Sequence, residues 1–379
     1  MSVPLPDWLS PIPWLETVRG AQPAQVERAL NAVDPGVREF AALLSPAAGA
    51  RLELLARRAL ALTRRHFGRT ISLYSPLYLS NYCPAGCTYC GFASDRKIAR
   101  RKLSPRELEE ELGALRSLGL EEVLLLTGDR LKTAGFSYVR DAVGVAASNF
   151  PYVAVEVFPM STEEYRGLAA AGCTGVTLYQ ETYEPERYER NHRWGEKRDY
   201  FHRLETPARA LAGGIRVVGL GALLGLGDPL FDMLSLFRHA TYLRRNFWKG
   251  GVAISFPRLR PEAGGYTGEF RVDERMLAQI IFAFRICMPD VPLVLSTRES
   301  PGFRDGMAGV GISKMSVASR TTVGGYGSET APSGEQFEVN DHRGVETFCA
   351  ALRAKGLQPV FKNWEAVYRE DPVPASMAS

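Results

Sequence analysis

The chain predicts an α/β fold, a (β/α)8 TIM-like barrel preceded by a helical extension, and three observations predict it. Eight short apolar runs alternate with amphipathic segments from Ile71 onward, the rhythm of parallel strands joined by crossover helices. Polar residues follow each run directly, where a barrel gathers its functional loops. The first 70 residues carry helical spacing alone and stand outside that alternation.

Composition narrows the function classes. The 379 residues are 45% hydrophobic and 23% charged, ordinary for a globular chain long enough to bury a barrel-sized core. Basic residues exceed acidic ones by 46 to 42, a net +4 that is too weak to argue for a nucleic-acid partner. Six cysteines, three of them in one metal-suited cluster, fit a reducing cytoplasm rather than a disulfide framework. Met1 to Asp7 lack the basic and apolar regions of an export signal, and no apolar run approaches the ~20 residues of a membrane span.

In chain order, residues 1–70 form the helical extension, 71–320 the barrel core and 321–379 a segment completing the barrel. Apolar residues recur at helical spacing through Val26, Leu30 and Val33 and again through Leu52, Leu55, Ala59 and Leu62, with Pro35 and Pro46 between. Arg57, Arg58, Arg64 and Arg65 lack an aromatic platform and read as a solvated helix face. The eight runs are Ile71–Leu79, Glu122–Leu126, Tyr152–Val157, Gly175–Tyr179, Arg216–Ala222, Val252–Phe256, Pro292–Leu295 and Ile312–Val317. Ser104-Pro105-Arg106-Glu107 and Ser161-Thr162-Glu163-Glu164 are capping boxes that start helices between runs. Later helices fit Pro229–Phe247, Asp273–Cys287 and Val345–Gly356.

The first run is followed by Cys83-Pro84-Ala85-Gly86-Cys87-Thr88-Tyr89-Cys90, three thiols within eight residues. This spacing lets one loop wrap an inorganic centre, with Gly86 and Gly91 relieving tight turns. Structural zinc and complete iron–sulfur sites take four protein ligands. Cys173, Cys287 and Cys349 are solitary, so no fourth ligand stands out. The pattern therefore predicts a [4Fe–4S] cluster with one iron open to a small molecule. The competing readings are a zinc knuckle, buried free thiols or a non-catalytic electron-transfer protein.

The Cys-x3-Cys-x2-Cys spacing with Tyr89 before the last cysteine resembles the cluster loop of the radical S-adenosylmethionine (SAM) superfamily. That resemblance implies a barrel of the radical SAM type and SAM bound at the open iron. Further strings, Tyr179-Gln180-Glu181-Thr182-Tyr183, Arg203-Leu204-Glu205-Thr206-Pro207, Ser255-Phe256-Pro257-Arg258-Leu259-Arg260-Pro261 and Ser296-Thr297-Arg298-Glu299-Ser300-Pro301, are similar to the aromatic amino acid lyases of that superfamily, specifically its tyrosine-cleaving branch. The resemblance implies Cα–Cβ cleavage of L-tyrosine to dehydroglycine and p-cresol for the thiazole of thiamine, with methionine and 5′-deoxyadenosine as co-products. It implies thiazole synthase as product acceptor and a flavodoxin or ferredoxin type reductant. A tryptophan lyase is the alternative within the family. The hydrogenase-maturing relatives carry further cysteines near the carboxyl terminus, where this chain has Lys362-Asn363-Trp364-Glu365 and no cysteine after Cys349.

The resemblance also implies roles. Glu181 and Arg203 hold the amino acid end of SAM, and Glu156 contacts its ribose. Tyr89, Thr127, Gly128 and Asp129 approach the cofactor, although the family pattern ends in Gly-Glu and Gly128-Asp129 is one methylene shorter. Gly219 and Gly221 let the backbone approach the adenosine. Arg298 offers a bidentate fork for the substrate carboxylate, oriented by Ser296 and Thr297, while a salt bridge to Glu299 is the competing use of that arginine. His192 and His202 are expected to be structural.

Overall fold

The computed structural model describes residues 5–327 and 333–363. Eight parallel strands close on themselves: β1 (Thr70–Tyr78), β2 (Glu122–Leu126), β3 (Tyr152–Glu156), β4 (Gly175–Thr177), β5 (Val217–Gly221), β6 (Gly251–Ser255), β7 (Leu293–Leu295) and β8 (Lys314–Ser316). Closure falls on β1, whose later half pairs with β2 (Leu77 opposite Leu125) and whose earlier half pairs with β8 (Leu73 opposite Met315). Six of the eight strands lie within their predicted apolar runs, while β1 and β6 each begin one residue before theirs. A ninth strand, β9 (Gln358–Val360), adds to the start of β1 and was not legible as a run.

The helices follow their local chemistry. The Ser104 and Ser161 hydroxyls accept from the amides of Glu107 and Glu164, whose carboxylates return to the serine amides. The helix at Glu274–Cys287 packs its apolar face on the helix at Leu52–Phe67, and Phe40 stacks on Phe237 at 4.3 Å, so the amino-terminal helices sit on the barrel's outer wall. Val33 departs from the predicted helical stripe. The helix ends at Asn31 and Val33 is fully exposed. Arg57 pairs with Glu53 on an exposed face, the solvated surface expected of that charge run. Among the described residues no helix is long and apolar enough to cross a membrane.

Parallel closure brings the carboxyl ends of all eight strands to one rim. Tyr74, Tyr78, Leu124, Leu126, Tyr152, Ala154 and Val294 fill the interior below that rim. Towards the opposite end lies a cavity of about 230 Å³, lined in part by Tyr152 and the Lys314–Glu122 ion pair.

Candidate active site at the carboxyl rim of the barrel

The cysteine loop leaves β1 and is clamped on three sides. The Asp129 amide donates to Cys83 Sγ at 3.3 Å, and Gln336 Nε2 stands 3.9 Å from Cys90 Sγ. Segment 191–195 lies alongside the loop, with the Gly86 and Thr88 amides donating to the Trp194 and Asn191 carbonyls. Gly86 and Gly91 do not relieve turns, since neither takes a positive φ. Their missing side chains make room instead, because a Cβ would stand 2.3 Å from Trp194 and 2.4 Å from the Glu335 carbonyl.

Burial pushes the Cys83 thiol up to about 11 and the Cys87 thiol up to about 12. Among the described residues no three His, Cys, Asp or Glu side chains converge in a geometry for one metal ion. A zinc knuckle needs such convergence, whereas a cubane gives each thiolate its own iron. Cys173, Cys287 and Cys349 are buried elsewhere and form no disulfide among the described residues, so the donor set is three sulfurs with N–H groups directed at two of them. That set fits a cluster with one open iron.

Next to Cys90 a cavity of about 50 Å³ is lined by Tyr89, Glu156, Glu181, Lys197, Arg260 and Arg298, among others. Glu181 sits at φ 71°, a strained value for a residue with a side chain. The strain is held by the next turn, where the buried Asp232 carboxylate accepts from the Thr182 hydroxyl at 2.9 Å and the Tyr183 amide at 2.7 Å. Glu181 Oε1 takes Lys197 Nζ at 2.7 Å and Arg203 Nη2 at 3.2 Å. Burial pushes this carboxyl up, but the two cations outweigh it and hold the group at about 2. Glu156 shows the opposite balance: burial and the Glu181 charge raise it to about 7, against Arg298, Arg203 and Lys197.

A second cavity of about 60 Å³ lies deeper and shares Glu156, Tyr179, Pro257, Arg298, Gln336 and Phe337 with the first. Ser296 and Thr297 line it, as do Ser316 and Ser319. Arg298 is free of Glu299, which pairs instead with Arg258 through Nε at 2.9 Å. The Arg298 guanidinium lies 3.3 Å from the Phe337 ring centroid and touches the Arg258 carbonyl at 3.3 Å, with no carboxylate partner among the described residues. The Ser296 hydroxyl accepts from the Arg298 amide rather than from its guanidinium, and Thr297 is fixed by its own amide to Ser316 Oγ.

Several predicted residues take other places. Thr127 bonds its own loop at the Gly128 carbonyl, and a Cβ on Gly128 would stand 2.4 Å from the Tyr82 carbonyl, so this stretch braces the cysteine loop. The Asp129 carboxylate is occupied by the amides of Arg130 at 3.0 Å and Lys197 at 3.2 Å. Gly219 and Gly221 do not line the cavity beside Cys90; they admit the side chains of Thr177 at the end of β4 and of Tyr179 just beyond it. His202 lies outside both cavities. His192 takes a structural place, tying Tyr89 to the loop that carries Lys197. Lys197, Gln336 and Phe337 were missed, because the first sits in a single 3-10 turn and the other two in an irregular segment, all far in sequence from the cysteine motif.

The sequence profile of the Radical SAM superfamily matches residues 77–240, and that of the Biotin and Thiamin Synthesis associated domain matches residues 255–358. The chain is 44% identical over 350 residues to 2-iminoacetate synthase of Escherichia coli (strain K12), covering 92% of this chain and 93% of that protein. The 2-iminoacetate synthase of Salmonella typhimurium (strain LT2) matches to the same extent. Among solved structures, HydG, a maturase of the [FeFe]-hydrogenase, superposes with a TM-score of 0.90 at 29% identity, covering 96% of this chain and 82% of that one.

Proposed function

The chain belongs to the radical SAM superfamily and to the 2-iminoacetate synthase family within it, and from that membership we propose how its residues divide the work of a tyrosine lyase. It is a carbon–carbon lyase that cleaves the Cα–Cβ bond of L-tyrosine to 2-iminoacetate (dehydroglycine) and p-cresol, in thiamine biosynthesis. Its cofactors are a [4Fe–4S] cluster and SAM. When bound, these supply one-electron cleavage chemistry that generates a hydrogen-abstracting 5′-deoxyadenosyl radical.

In this proposal Cys83, Cys87 and Cys90 hold the cluster, and Thr127, Gly128 and Asp129 support it through the Asp129 amide on Cys83 rather than through a side chain on SAM. Glu181 and Arg203 hold the amino acid end of SAM, Tyr89 lines its site, and Glu156 meets its ribose. Arg298 grips the tyrosine carboxylate, with Ser296 and Thr297 in the wall behind it. The observation that carries the assignment is that a planar cation with no carboxylate partner among the described residues lines both cavities, one beside Cys90 and one in the barrel interior. Shielding from bulk water is the protein's other task, because the imine product hydrolyses readily. Thiazole synthase as the consumer of that product, a flavodoxin or ferredoxin type reductant and a cytoplasmic setting complete the proposal, the last supported by six free cysteines.

The test is anaerobic reconstitution of cysteine variants. Alanine at Cys83, Cys87 or Cys90 is expected to abolish SAM cleavage, while alanine at Cys173, Cys287 or Cys349 leaves about four iron atoms per chain. SAM cleavage retained in Cys87→Ala contradicts the assignment, as does loss of iron in the second group.

A further inference from the structure

Segment 191–199 is fixed to the cysteine loop by more than packing. His192 Nδ1 lies 2.6 Å from the Tyr188 carbonyl, which only accepts, so that nitrogen carries the proton and Nε2 accepts from the Tyr89 hydroxyl at 2.7 Å. Asp129 Oδ2 holds the Lys197 amide at 3.2 Å, and the Asp129 amide in turn meets Cys83 Sγ. These bonds deliver the Lys197 side chain to one place. Its ammonium, 16% exposed, binds Glu181 Oε1 and sits 5.5 Å from the Tyr89 ring, on the wall of the cavity that Cys90 lines.

The charge balance there is uneven. Glu181 Oε1 is shared by Lys197 and by Arg203, so one carboxylate faces two cations, and one of them lines the same cavity as Cys90.

We propose that Lys197 is an electrostatic positioning residue for the cluster, its ammonium anchored by Glu181 on the wall of the cavity that Cys90 lines so as to favour the reduced state. The step concerned is the gain of one electron from an external low-potential donor, with no bond made or broken and no proton moved. The cluster and its three thiolates become more negative by one charge, and a fixed neighbouring cation stabilises that state over the oxidised one. This rests on the assignment of the cluster to Cys83, Cys87 and Cys90.

The test is a redox titration of the reconstituted holoenzyme without SAM, followed by electron paramagnetic resonance and visible absorption. Iron content and the spectrum of the unmodified protein report on the cluster assignment separately from the potential. Lys197→Met is expected to keep its iron while the reduced-to-oxidised ratio at the unmodified protein's midpoint falls at least ~10-fold, about 59 mV for a one-electron couple. Lys197→Arg, which keeps the charge, restores most of that ratio. An unchanged midpoint in Lys197→Met, or a Lys197→Arg midpoint as low as that of Lys197→Met, overturns the proposal. Should Lys197→Met not assemble a cluster, Lys197→Gln is titrated in its place. Cluster loss in both, with retention in Lys197→Arg, makes the residue structural and overturns the electrostatic role.

Discussion

Arg298 and Glu156 illustrate how one cavity sets opposite demands on single side chains. The Arg298 guanidinium stacks on Phe337 and leaves its fork for a ligand, and a lysine offers neither the plane nor the fork. Arg298→Lys is expected to lower tyrosine turnover at least ~10-fold, about 1.4 kcal/mol, with fold and iron content retained and uncoupled SAM cleavage persisting. Normal turnover in that variant, or loss of fold with activity, contradicts the carboxylate role. Glu156 has a folded pKa of about 7, above its unfolded value, so between roughly pH 4.3 and 7 the folded state binds more protons than the unfolded one. Its contribution to stability is present at low pH and lost as pH rises through that window. Glu156→Gln is expected to gain stability relative to the unmodified protein as pH rises from 5 to 8, read as a widening difference in thermal midpoint. A difference that stays flat refutes the raised pKa. The cysteines were legible because their spacing lies within one loop, and Arg298 because it directly follows a strand. Lys197, Gln336 and Phe337 were not, since nothing in their local sequence tells which distant loop folds back over the rim.

At the scale of elements, the loop after β8 shows what holds the rim together. Glu111, fully buried on the helix at Pro105–Ser117, accepts from the amides of Gly325, Tyr326 and Gly327 at 3.1, 2.7 and 3.2 Å. Tyr326 then donates from its hydroxyl to the Pro76 carbonyl of β1 at 2.7 Å. Removing the carboxylate leaves buried donors unpaired, so Glu111→Ala is expected to cost about 2–3 kcal/mol in denaturant unfolding. A loss below about 0.5 kcal/mol removes Glu111 from this role. The eight barrel strands were legible because each is an apolar run buried on both faces, and the capping boxes marked helix starts in the same way. Two features escaped for physical reasons: β9 is short, contains Pro359 and is partly exposed, while Val33 has the period of a helix that has already ended. The salt bridge that Glu299 makes with Arg258 joins the ends of two strands, a pairing that sequence adjacency to Arg298 obscured.

For the whole molecule, closure of the sheet at β1 makes one rim out of loops that are up to about 250 residues apart, such as the Cys90 loop and Gln336. The rim places Cys90, Glu181, Lys197 and Arg298 around two adjoining cavities. That juxtaposition suits the division of work proposed above, with the cluster at one end and the tyrosine carboxylate at the other. Residues 364–379, the end of the segment expected to complete the barrel and including Trp364 and Glu365, lie outside the described residues. The central claim is tested most directly by incubating the reduced, reconstituted protein with SAM and either tyrosine or tryptophan under anaerobic conditions, then measuring the aromatic product and the two-carbon product together. The account predicts p-cresol and glyoxylate, the hydrolysis product of dehydroglycine, from tyrosine in step with 5′-deoxyadenosine; turnover of tryptophan alone, or 5′-deoxyadenosine without p-cresol, contradicts it.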